Sequence, residues 1–335
     1  MEVLVTGATG FLGGAITSAL VKEGQEVRIL ARKNSNLNRL VGLQVDIRHG
    51  SLEDKSSLIS LLDGVECVYH CAAVSTDWAP WNDFYQVNVR GVQNLLEAAQ
   101  RAGSVQRFVH ISSTDVYGYP VKAIEENCVI IDAGLPYNRS KGLGEKAVWD
   151  FYQETGLPVT VIRPVTIYGP RSMSIVVEIA SLLLKRQMVL IDGGRRSAGL
   201  LYIDNAVEAI RKAALSPQAI GRAYNLRDES NETWSQFVDT FAAGLDVGYP
   251  WINLPSWLAL GIAHLSEIVY RGMGIRSRPL LTRHATYLLC RDQGYPIEKA
   301  QQDFGFCSTI SFVEGMKRTL TWLASEEGQE ALSGS

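Results

Sequence analysis

Three glycines near the N-terminus constrain the fold of this chain more than any other feature. Gly7, Gly10 and Gly13 follow the apolar run at residues 3–5, and a segment with helical periodicity, residues 14–20, comes directly after them. In a strand, glycine turn and helix in this order, the first glycine permits the tight turn, the second lets the backbone approach a pyrophosphate and the third lets helix pack on strand. The amides of the first helical turn then face the anion. An ordinary turn is the alternative, but we predict a nucleotide site formed by Gly7, Thr9, Gly10, Phe11, Leu12 and Gly13.

The composition suits a sizeable α/β protein, because the chain has 335 residues and 46% of them are apolar. Its net charge is −3, and acidic and basic residues are mixed, which gives no footprint for nucleic acid or for an anionic membrane surface. The N-terminus has no basic region or cleavage pattern of a signal peptide, so we expect a cytoplasmic protein with reduced thiols. No metal site is expected, because the cysteines are scattered at Cys67, Cys71, Cys128, Cys290 and Cys307.

The end of the second predicted strand bears on the choice of cofactor. Residues 26–31 have the pattern of a strand, which ends in Arg32 and Lys33. At this place in a dinucleotide-binding fold an acidic residue binds the adenosine ribose, whereas basic residues accommodate a 2′-phosphate. The two cations therefore favour NADP(H), with NAD(H) possible, although a solvated strand end is the alternative. A third strand at 44–47 would place Ser51 and Leu52 near the adenine.

Strand and helix patterns alternate through the first half of the chain. Buried strand patterns at residues 65–73, 107–113 and 159–163 are separated by helical patterns at 83–102 and 135–149. This order predicts an α/β fold of the Rossmann type, with a doubly wound parallel sheet and a smaller, mostly helical C-terminal lobe.

In the second half of the chain, strand and helix patterns alternate less regularly. We expect residues 1–170 and about 196–226 to form the cofactor-binding domain, and about 171–195 and 227–330 to form the substrate-binding lobe. The apolar run at 254–270 is too short and too polar to span a bilayer. We predict a helix on the substrate side there, and monotopic membrane contact remains open.

A tyrosine and a lysine have the spacing of a catalytic pair. Tyr137 and Lys141 would lie on one helical face, separated by about 6 Å of rise. A free tyrosine has a pKa near 10, so it needs a nearby cation to exchange protons at neutral pH, and Lys141 is placed to supply one. Ser113, at the hydroxyl-rich end of the 107–113 strand, could hydrogen-bond the substrate oxygen. We predict these three as catalytic residues; a surface pair is the alternative for Tyr137 and Lys141.

Seven segments together carry a resemblance to a known family. They are TGATGFLG (6–13), VYHCAA (68–73), NVRGVQNLLEA (88–98), HISSTDVYG (110–118), YNRSK (137–141), RPVTIYGP (163–170) and LYIDNAVEAI (201–210). In combination they resemble the extended short-chain dehydrogenase/reductase family over nearly the whole chain. The resemblance implies that Tyr137 is the general acid/base, that Lys141 lowers its pKa and holds the nicotinamide ribose, and that Ser113 polarises the carbonyl.

The same resemblance implies further roles and an assembly. Asn88 would be mainly a scaffold residue, and a homodimer would form through the helices at about 88–102 and 137–154. One departure is Gly50-Ser51-Leu52, where the family usually has Gly-Asp-Leu, and this puts the adenine contacts of Ser51 and Leu52 in doubt. The residues expected to line the dinucleotide are Cys71, Ala72, Ala73, Pro164 and Val165.

Local departures indicate which branch of the family the chain is similar to. Residues 112–117 lack the glutamate that sugar dehydratases carry, and Ala198-Gly199-Leu200 replaces a triplet whose arginine binds diphosphate in nucleotide-sugar enzymes. Residues 201–205 and 279–283 instead resemble the 3β-hydroxysteroid dehydrogenase-like branch, which includes bacterial 2-alkyl-3-oxoalkanoate reductases. Its substrate-side residues would be Thr76, Trp78, Trp81 and Thr114, although the two tryptophans could simply pack the lobes together.

The leading hypothesis is an NADP(H)-dependent reductase or dehydrogenase that interconverts a ketone and a secondary alcohol on a small hydrophobic, lipid-, steroid- or polyketide-like substrate. The first alternative is a nucleotide-sugar epimerase or dehydratase with tightly bound NAD. The second is a non-catalytic, dinucleotide-binding regulator, against which the complete set of Ser113, Tyr137 and Lys141 argues.

Overall fold

The structure, a computed structural model, describes residues 1–334, and strands alternate with helices through most of them. The strands are β1 (Glu2–Thr6), β2 (Glu26–Ala31), β3 (Asp46–His49), β4 (Cys67–His70), β5 (Arg107–Ile111), β6 (Val159–Pro164), β7 (Thr166–Tyr168), β8 (Val189–Ile191), β9 (Leu200–Tyr202), β10 (Arg222–Leu226) and β11 (Ile252–Leu254). The helices are α1 (Phe11–Lys22), α2 (Lys55–Ile59), α3 (Trp81–Tyr85), α4 (Val92–Ala102), α5 (Pro136–Thr155), α6 (Glu178–Leu184), α7 (Ile203–Leu215), α8 (Trp234–Gly244), α9 (Ser256–Gly272), α10 (Arg283–Cys290), α11 (Glu298–Phe304), α12 (Phe312–Leu323) and α13 (Glu326–Ser333).

Seven strands form the central sheet, and every neighbouring pair in it is parallel. Their order is β3-β2-β1-β4-β5-β6-β10, which is the Rossmann order with one more strand at the β6 edge. The predicted doubly wound sheet is confirmed. The strand order reverses between β1 and β4, so a crevice opens where these two strands end.

Helices cover both faces of the sheet because successive strand residues point to opposite sides. On one face, Val3 and Val5 pack with apolar residues of α1 and α7. On the other, Leu4 packs with apolar residues of α2, α4 and α5. The near-continuous apolar patterns of the inner strands follow from this two-sided burial.

Two elements differ from their sequence-based bounds. The third strand lies at Asp46–His49 rather than at 44–47, and all four of its residues are exposed at the sheet edge, so no hydrophobic pattern marks its position. The single helix expected at 83–102 is α3, a π-helical stretch at Gln86–Gly91 and α4. A single π-helical turn inside an α-helix interrupts the apolar periodicity only briefly, so the sequence pattern does not reveal it.

The C-terminal part is mostly helical, as expected, with two small parallel sheets that pair β7 with β9 and β8 with β11. β10 returns from this part of the chain to the edge of the central sheet. The exact boundaries of the two predicted domains stay a prediction. Across residues 1–334, we find no helix with both the length and the apolar character needed to cross a membrane.

Candidate active site

The glycine loop joins β1 to α1 at the crevice. Gly7 has a φ of +72°, and a Cβ there would lie 2.7 Å from the backbone nitrogen of Ala72, at the end of β4. A Cβ on Gly13 would overlap the carbonyl oxygen of Gly7. Side chains are therefore excluded at both positions, which keeps the loop close to the end of β4. α1 begins after Gly10 without a side-chain cap, so the amides of its first turn are available to an anion.

A cleft of about 480 Å³ runs from this loop across the carboxyl ends of the strands. Most of the residues predicted for the cofactor and the chemistry line it. They are Gly7, Thr9, Gly10, Phe11, Leu12, Gly13, Arg32, Ser51, Leu52, Cys71, Ala72, Ala73, Ser113, Thr114, Tyr137, Lys141, Pro164 and Val165.

Tyr137 and Ser113 meet in this cleft from two different elements. Tyr137 lies in the first turn of α5, directly after Pro136, whose fixed φ favours the start of a helix. Ser113 follows β5, and its Oγ accepts a hydrogen bond from the Asp115 amide at 3.1 Å. The Ser113 side chain also interacts with the Tyr137 phenol, and both residues line the cleft. The serine hydroxyl and the phenol can therefore address the same substrate atom.

The electrostatic surroundings of Tyr137 favour the protonated phenol. Burial and the nearby Asp115 carboxylate raise its pKa, whereas the hydrogen bond from Ser113 lowers it. A neutral phenol can donate its proton to a carbonyl oxygen. The effect expected of Lys141 on the pKa of Tyr137 stays a prediction.

Lys141 is buried one helical turn after Tyr137. Its Nζ donates a hydrogen bond of 2.6 Å to the carbonyl oxygen of Ile111, at the end of β5. Burial lowers its pKa to about 8, although Glu145, Cys71 and Asp115 favour the charged form. The ammonium is thus fixed against the sheet at the floor of the cleft.

Comparison with known proteins decides the family. The model of the NAD dependent epimerase/dehydratase family matches residues 3–226. The chain belongs to this family. The predicted membership of the extended short-chain dehydrogenase/reductases, and with it an NAD(P)-dependent enzyme, is confirmed.

Individual members of the family resemble the chain over nearly its full length. A 2-alkyl-3-oxoalkanoate reductase of Stenotrophomonas maltophilia is 30% identical, with 95% of this chain and 98% of the relative covered. Sterol demethylase protein B of Methylococcus capsulatus is also 30% identical, covering 92% and 94%. A UDP-glucuronic acid 4-epimerase of Bacillus cereus, solved with UDP-glucuronic acid and NAD, has the same fold, with a TM-score of 0.77, 20% identity and coverage of 96% and 99%.

Four of the predicted site residues of this epimerase/dehydratase-family protein do not line the cleft. Lys33 and Thr76 are exposed. Trp78 packs edge-on against Tyr270, with ring centroids 6.3 Å apart, and Trp81 lies under the guanidinium of Arg139. In these contacts Trp78 joins the two parts of the chain, the alternative considered for it above. Their roles in binding stay predictions.

His284, which no sequence pattern indicated, reaches the cleft from the second residue of α10. Its Nε2 lies 3.1 Å from Oδ2 of Asp115, and its Nδ1 lies 3.6 Å from Oδ2 of Asp77. The imidazole meets the Tyr137 ring edge-on, with the centroids 5.6 Å apart. Burial opposes the charged form, but the two carboxylates raise the pKa of His284 to about 9. His284 is therefore an imidazolium at neutral pH.

Asp77 is also held by cations and hydroxyls of the C-terminal part. Arg278 donates to both of its carboxylate oxygens, at 2.5 and 2.8 Å, and Thr282 donates to Oδ2 at 2.5 Å. Burial disfavours the Asp77 carboxylate, but His284 and Arg278 together hold its pKa below the usual range. The second guanidinium branch of Arg278 donates to Glu178. These contacts join the loop after β4 to α10 beside Tyr137.

A buried ion pair between Glu145 and Arg163 fixes the helix that carries Tyr137 and Lys141. Glu145 lies one turn after Lys141 on α5, and both of its oxygens accept hydrogen bonds from Arg163 on β6. Ser112 donates to the same carboxylate at 2.5 Å, and Arg163 also donates to the Tyr117 hydroxyl at 2.7 Å. Since each charge has partners, burial is tolerated and α5 is fixed against the ends of β5 and β6.

The three segments around Asn88 are held together by its amide. The Asn88 side chain accepts from the Val74 amide at 2.8 Å and donates to the Val74 carbonyl and to Ser140. The π-helical stretch thus connects the loop after β4 with α5, which agrees with the predicted scaffold role. Over the described residues 1–334, no three His, Cys, Asp or Glu side chains are grouped so that they could hold a metal ion.

Proposed function

We propose that the protein is an NADP(H)-dependent reductase that interconverts a ketone and a secondary alcohol on a hydrophobic substrate. The observation that carries the proposal is that Ser113 and Tyr137 line one cleft, which is continuous with the glycine loop. Two hydroxyls placed together can donate to one carbonyl oxygen and stabilise the charge that develops on it. The resemblance to a 2-alkyl-3-oxoalkanoate reductase supports a β-keto substrate.

The cleft fits a dinucleotide at its glycine end. Side chains are excluded at Gly7 and Gly13, and the uncapped first turn of α1 can bind a pyrophosphate. Arg32 lines the same end and is exposed, so its guanidinium is available to a 2′-phosphate. These residues support NADP(H) over NAD(H).

The reaction follows from the residues at the other end. A bound nicotinamide would supply the hydride that the carbonyl carbon accepts. Tyr137 donates its phenolic proton to the carbonyl oxygen, and Ser113 donates a hydrogen bond to the same atom. In the oxidising direction the Tyr137 oxygen accepts the proton from the alcohol. The Lys141 ammonium, fixed on the Ile111 carbonyl, stabilises the phenolate that remains after proton transfer.

Apolar side chains support a hydrophobic substrate body. Val74, Val87, Ile167, Ile175 and Leu288 line the cleft beside the catalytic hydroxyls. They come from both parts of the chain, so the substrate would lie between them.

A nucleotide-sugar epimerase is the alternative that the family allows. The triplet at which such enzymes are expected to carry a diphosphate-binding arginine is buried here, at Ala198 and Leu200. A Cβ on Gly199 would lie 2.5 Å from atoms of Gln293, so no side chain fits between. These observations favour the reductase.

Cofactor consumption tests the proposal. Purified protein is mixed with NADPH or NADH and a panel of β-keto acids, steroid ketones and aromatic ketones, and nicotinamide absorbance is followed. We expect net oxidation of NADPH with at least one hydrophobic ketone. Turnover of a nucleotide sugar without net cofactor consumption would overturn the proposal in favour of an epimerase.

A non-catalytic regulator would bind NADPH without oxidising it across the whole panel. The homodimer through helices near 88–102 and 137–154 and the cytoplasmic location also stay predictions. Light scattering of the purified protein measures the first, and cell fractionation measures the second.

A further inference from the structure

α9 carries its large apolar side chains on the outside. Trp257, Leu265 and Ile268 are exposed, whereas the buried side of the helix consists of the small residues Ala259 and Ala263 together with Glu267. A helix of a water-facing surface has the opposite arrangement, with large apolar residues toward the core. α4 shows that arrangement, since its leucines are buried.

The apolar surface extends beyond the helix in both directions. Trp251 precedes α9 and is 78% exposed, and Met273 follows it and is 72% exposed. Trp257 is 73% exposed between them. A run of large exposed apolar residues along one segment indicates an interaction site. We call these residues, with Tyr249, Leu265 and Ile268, the α9 surface.

The charged residues of the segment around the α9 surface are mostly positive. Residues 247–291 contain five arginines and one acidic residue, Glu267, although the whole chain has a net charge of −3. Glu267 is buried and paired with Arg283. Arg271 and Arg276 are exposed, and neither has an acidic partner within the described residues. The balanced composition of the whole chain therefore conceals a local cationic surface.

These features point to an anionic lipid surface rather than to a second copy of the chain. Tryptophan and tyrosine side chains are favoured at the boundary between water and lipid, because one end is apolar and the other is polar. Arginines beside them attract anionic headgroups. A two-fold interface would instead bring the same arginine-containing patch of both copies together, which like charges oppose.

We propose that the α9 surface docks the protein on anionic membranes as a monotopic helix. The helix would lie in the headgroup region with Trp257, Leu265 and Ile268 toward the acyl chains. The surface borders the substrate end of the cleft, because Tyr270 and Arg271 contact Trp78 on the loop that carries Asp77. The proposal goes beyond the proposed reaction and does not depend on it.

Vesicle binding by the full chain tests the proposal. The purified protein is floated with vesicles of phosphatidylcholine alone or of phosphatidylcholine with phosphatidylserine, at low and physiological salt. We expect binding to the anionic vesicles, weaker at higher salt and at least about tenfold weaker without phosphatidylserine. Absence of binding to the anionic vesicles would overturn the proposal.

Paired substitutions test whether the α9 surface is the part of the protein that binds the vesicles. Trp257→Ser with Leu265→Ser removes the apolar contact, and Arg271→Glu with Arg276→Glu reverses the charge; all four side chains are exposed, so the fold is retained. We expect each pair to reduce vesicle binding at least about tenfold. Arg101→Glu with Arg186→Glu, exposed arginines elsewhere, is the matched control and should bind more tightly than the α9 pairs.

Equal binding by the control and the charge-reversed α9 pair would contradict the proposal, because general electrostatic attraction would then explain the result. Light scattering of the same proteins tests whether a second copy of the chain, rather than a membrane, covers the α9 surface. A dimer that dissociates in the Trp257→Ser, Leu265→Ser variant, without vesicle binding by the unmodified protein, would assign the surface to a second copy.

Discussion

The two ends of the cleft are built by different means. The nucleotide end consists mainly of backbone from one short stretch, residues 7–13, where glycines exclude side chains. The far end consists of side chains distant in sequence: His284 lies 169 positions from Asp115, and Arg278 lies 201 positions from Asp77. The shape of the nucleotide end therefore depends on the backbone of one short stretch. The side chains of the far end come together only because the C-terminal part packs on the sheet.

The largest expected effect is at the residue where the two ends meet. Tyr137→Phe removes the group that donates the proton, so we expect turnover to fall by about 10²–10⁴ with little change in NADPH affinity. Steady-state kinetics on a substrate from the panel and fluorescence titration with NADPH measure the two quantities. Tyr168→Phe is the matched control, because it removes a buried hydroxyl that has no hydrogen-bond partner among the described residues. Near-native turnover by the Tyr137 variant would refute the mechanism.

A change at the nucleotide end should act through the backbone. Gly13→Ala places a methyl group against the Gly7 carbonyl, so the loop must shift, and we expect NADPH affinity to fall at least about tenfold and stability by about 2 kcal/mol. Cofactor titration and thermal unfolding measure these losses. Gly248→Ala, where a Cβ meets no atom within 4 Å, is the control and should change neither. Unchanged affinity in the Gly13 variant would contradict the close packing of the loop.

The far end should respond to pH. The pKa of His284 is raised from about 6.5 in the unfolded chain to about 9, so its stabilising contribution is complete below pH 6.5 and is lost as pH rises through 9. Its size is on the order of 3 kcal/mol. Thermal unfolding from pH 6 to pH 10 should show a steeper loss for the unmodified protein than for His284→Gln.

The exposed His264 provides the control for this measurement. His264→Gln should keep the pH dependence of the unmodified protein. If His284→Gln also kept it, the imidazolium between Asp77 and Asp115 would not contribute to stability.

The smallest expected effect concerns the choice between cofactors. Arg32→Ala should reduce the preference for NADPH over NADH by about tenfold, since one charge-assisted contact to a 2′-phosphate is lost. The ratio of kcat/KM for the two cofactors measures it. Lys33→Ala should have a smaller effect, because Lys33 does not line the cleft. An unchanged ratio in the Arg32 variant would argue against NADP(H) specificity.

The sequence could place the glycine-loop residues together in one cleft because they are contiguous. Gly7, Gly10 and Gly13 have a fixed spacing, and Tyr137 with Lys141 lies within one helix, so short-range patterns suffice to bring each set together. β3 was displaced from its predicted bounds because its exposed residues carry no hydrophobic pattern.

The contacts at the far end of the cleft could not be predicted from the sequence, for a physical reason. Asp77, Asp115 and His284 meet only after the C-terminal part has packed on the sheet, and no local spacing records that contact. The segment at 279–283, which resembles the 3β-hydroxysteroid dehydrogenase-like branch, ends one position before His284. The net charge of −3 for the whole chain does not reveal the arginines beside the α9 surface, because acidic residues elsewhere in the chain balance them.

The pair formed by Glu267 and Arg283 has a consequence for substrate diversity. Glu267 accepts hydrogen bonds from the Arg283 backbone amide and side chain, so α9 is joined to the first turn of α10, where His284 follows. Residues of the α9 surface, which we propose to contact a membrane, and His284, which lines the cleft, thus belong to one segment that contributes no strand to the central sheet. Exchange of that segment between relatives would change both the substrate and the place in the cell where the enzyme acts. The sheet and the glycine loop, which we propose bind the cofactor, would stay unchanged.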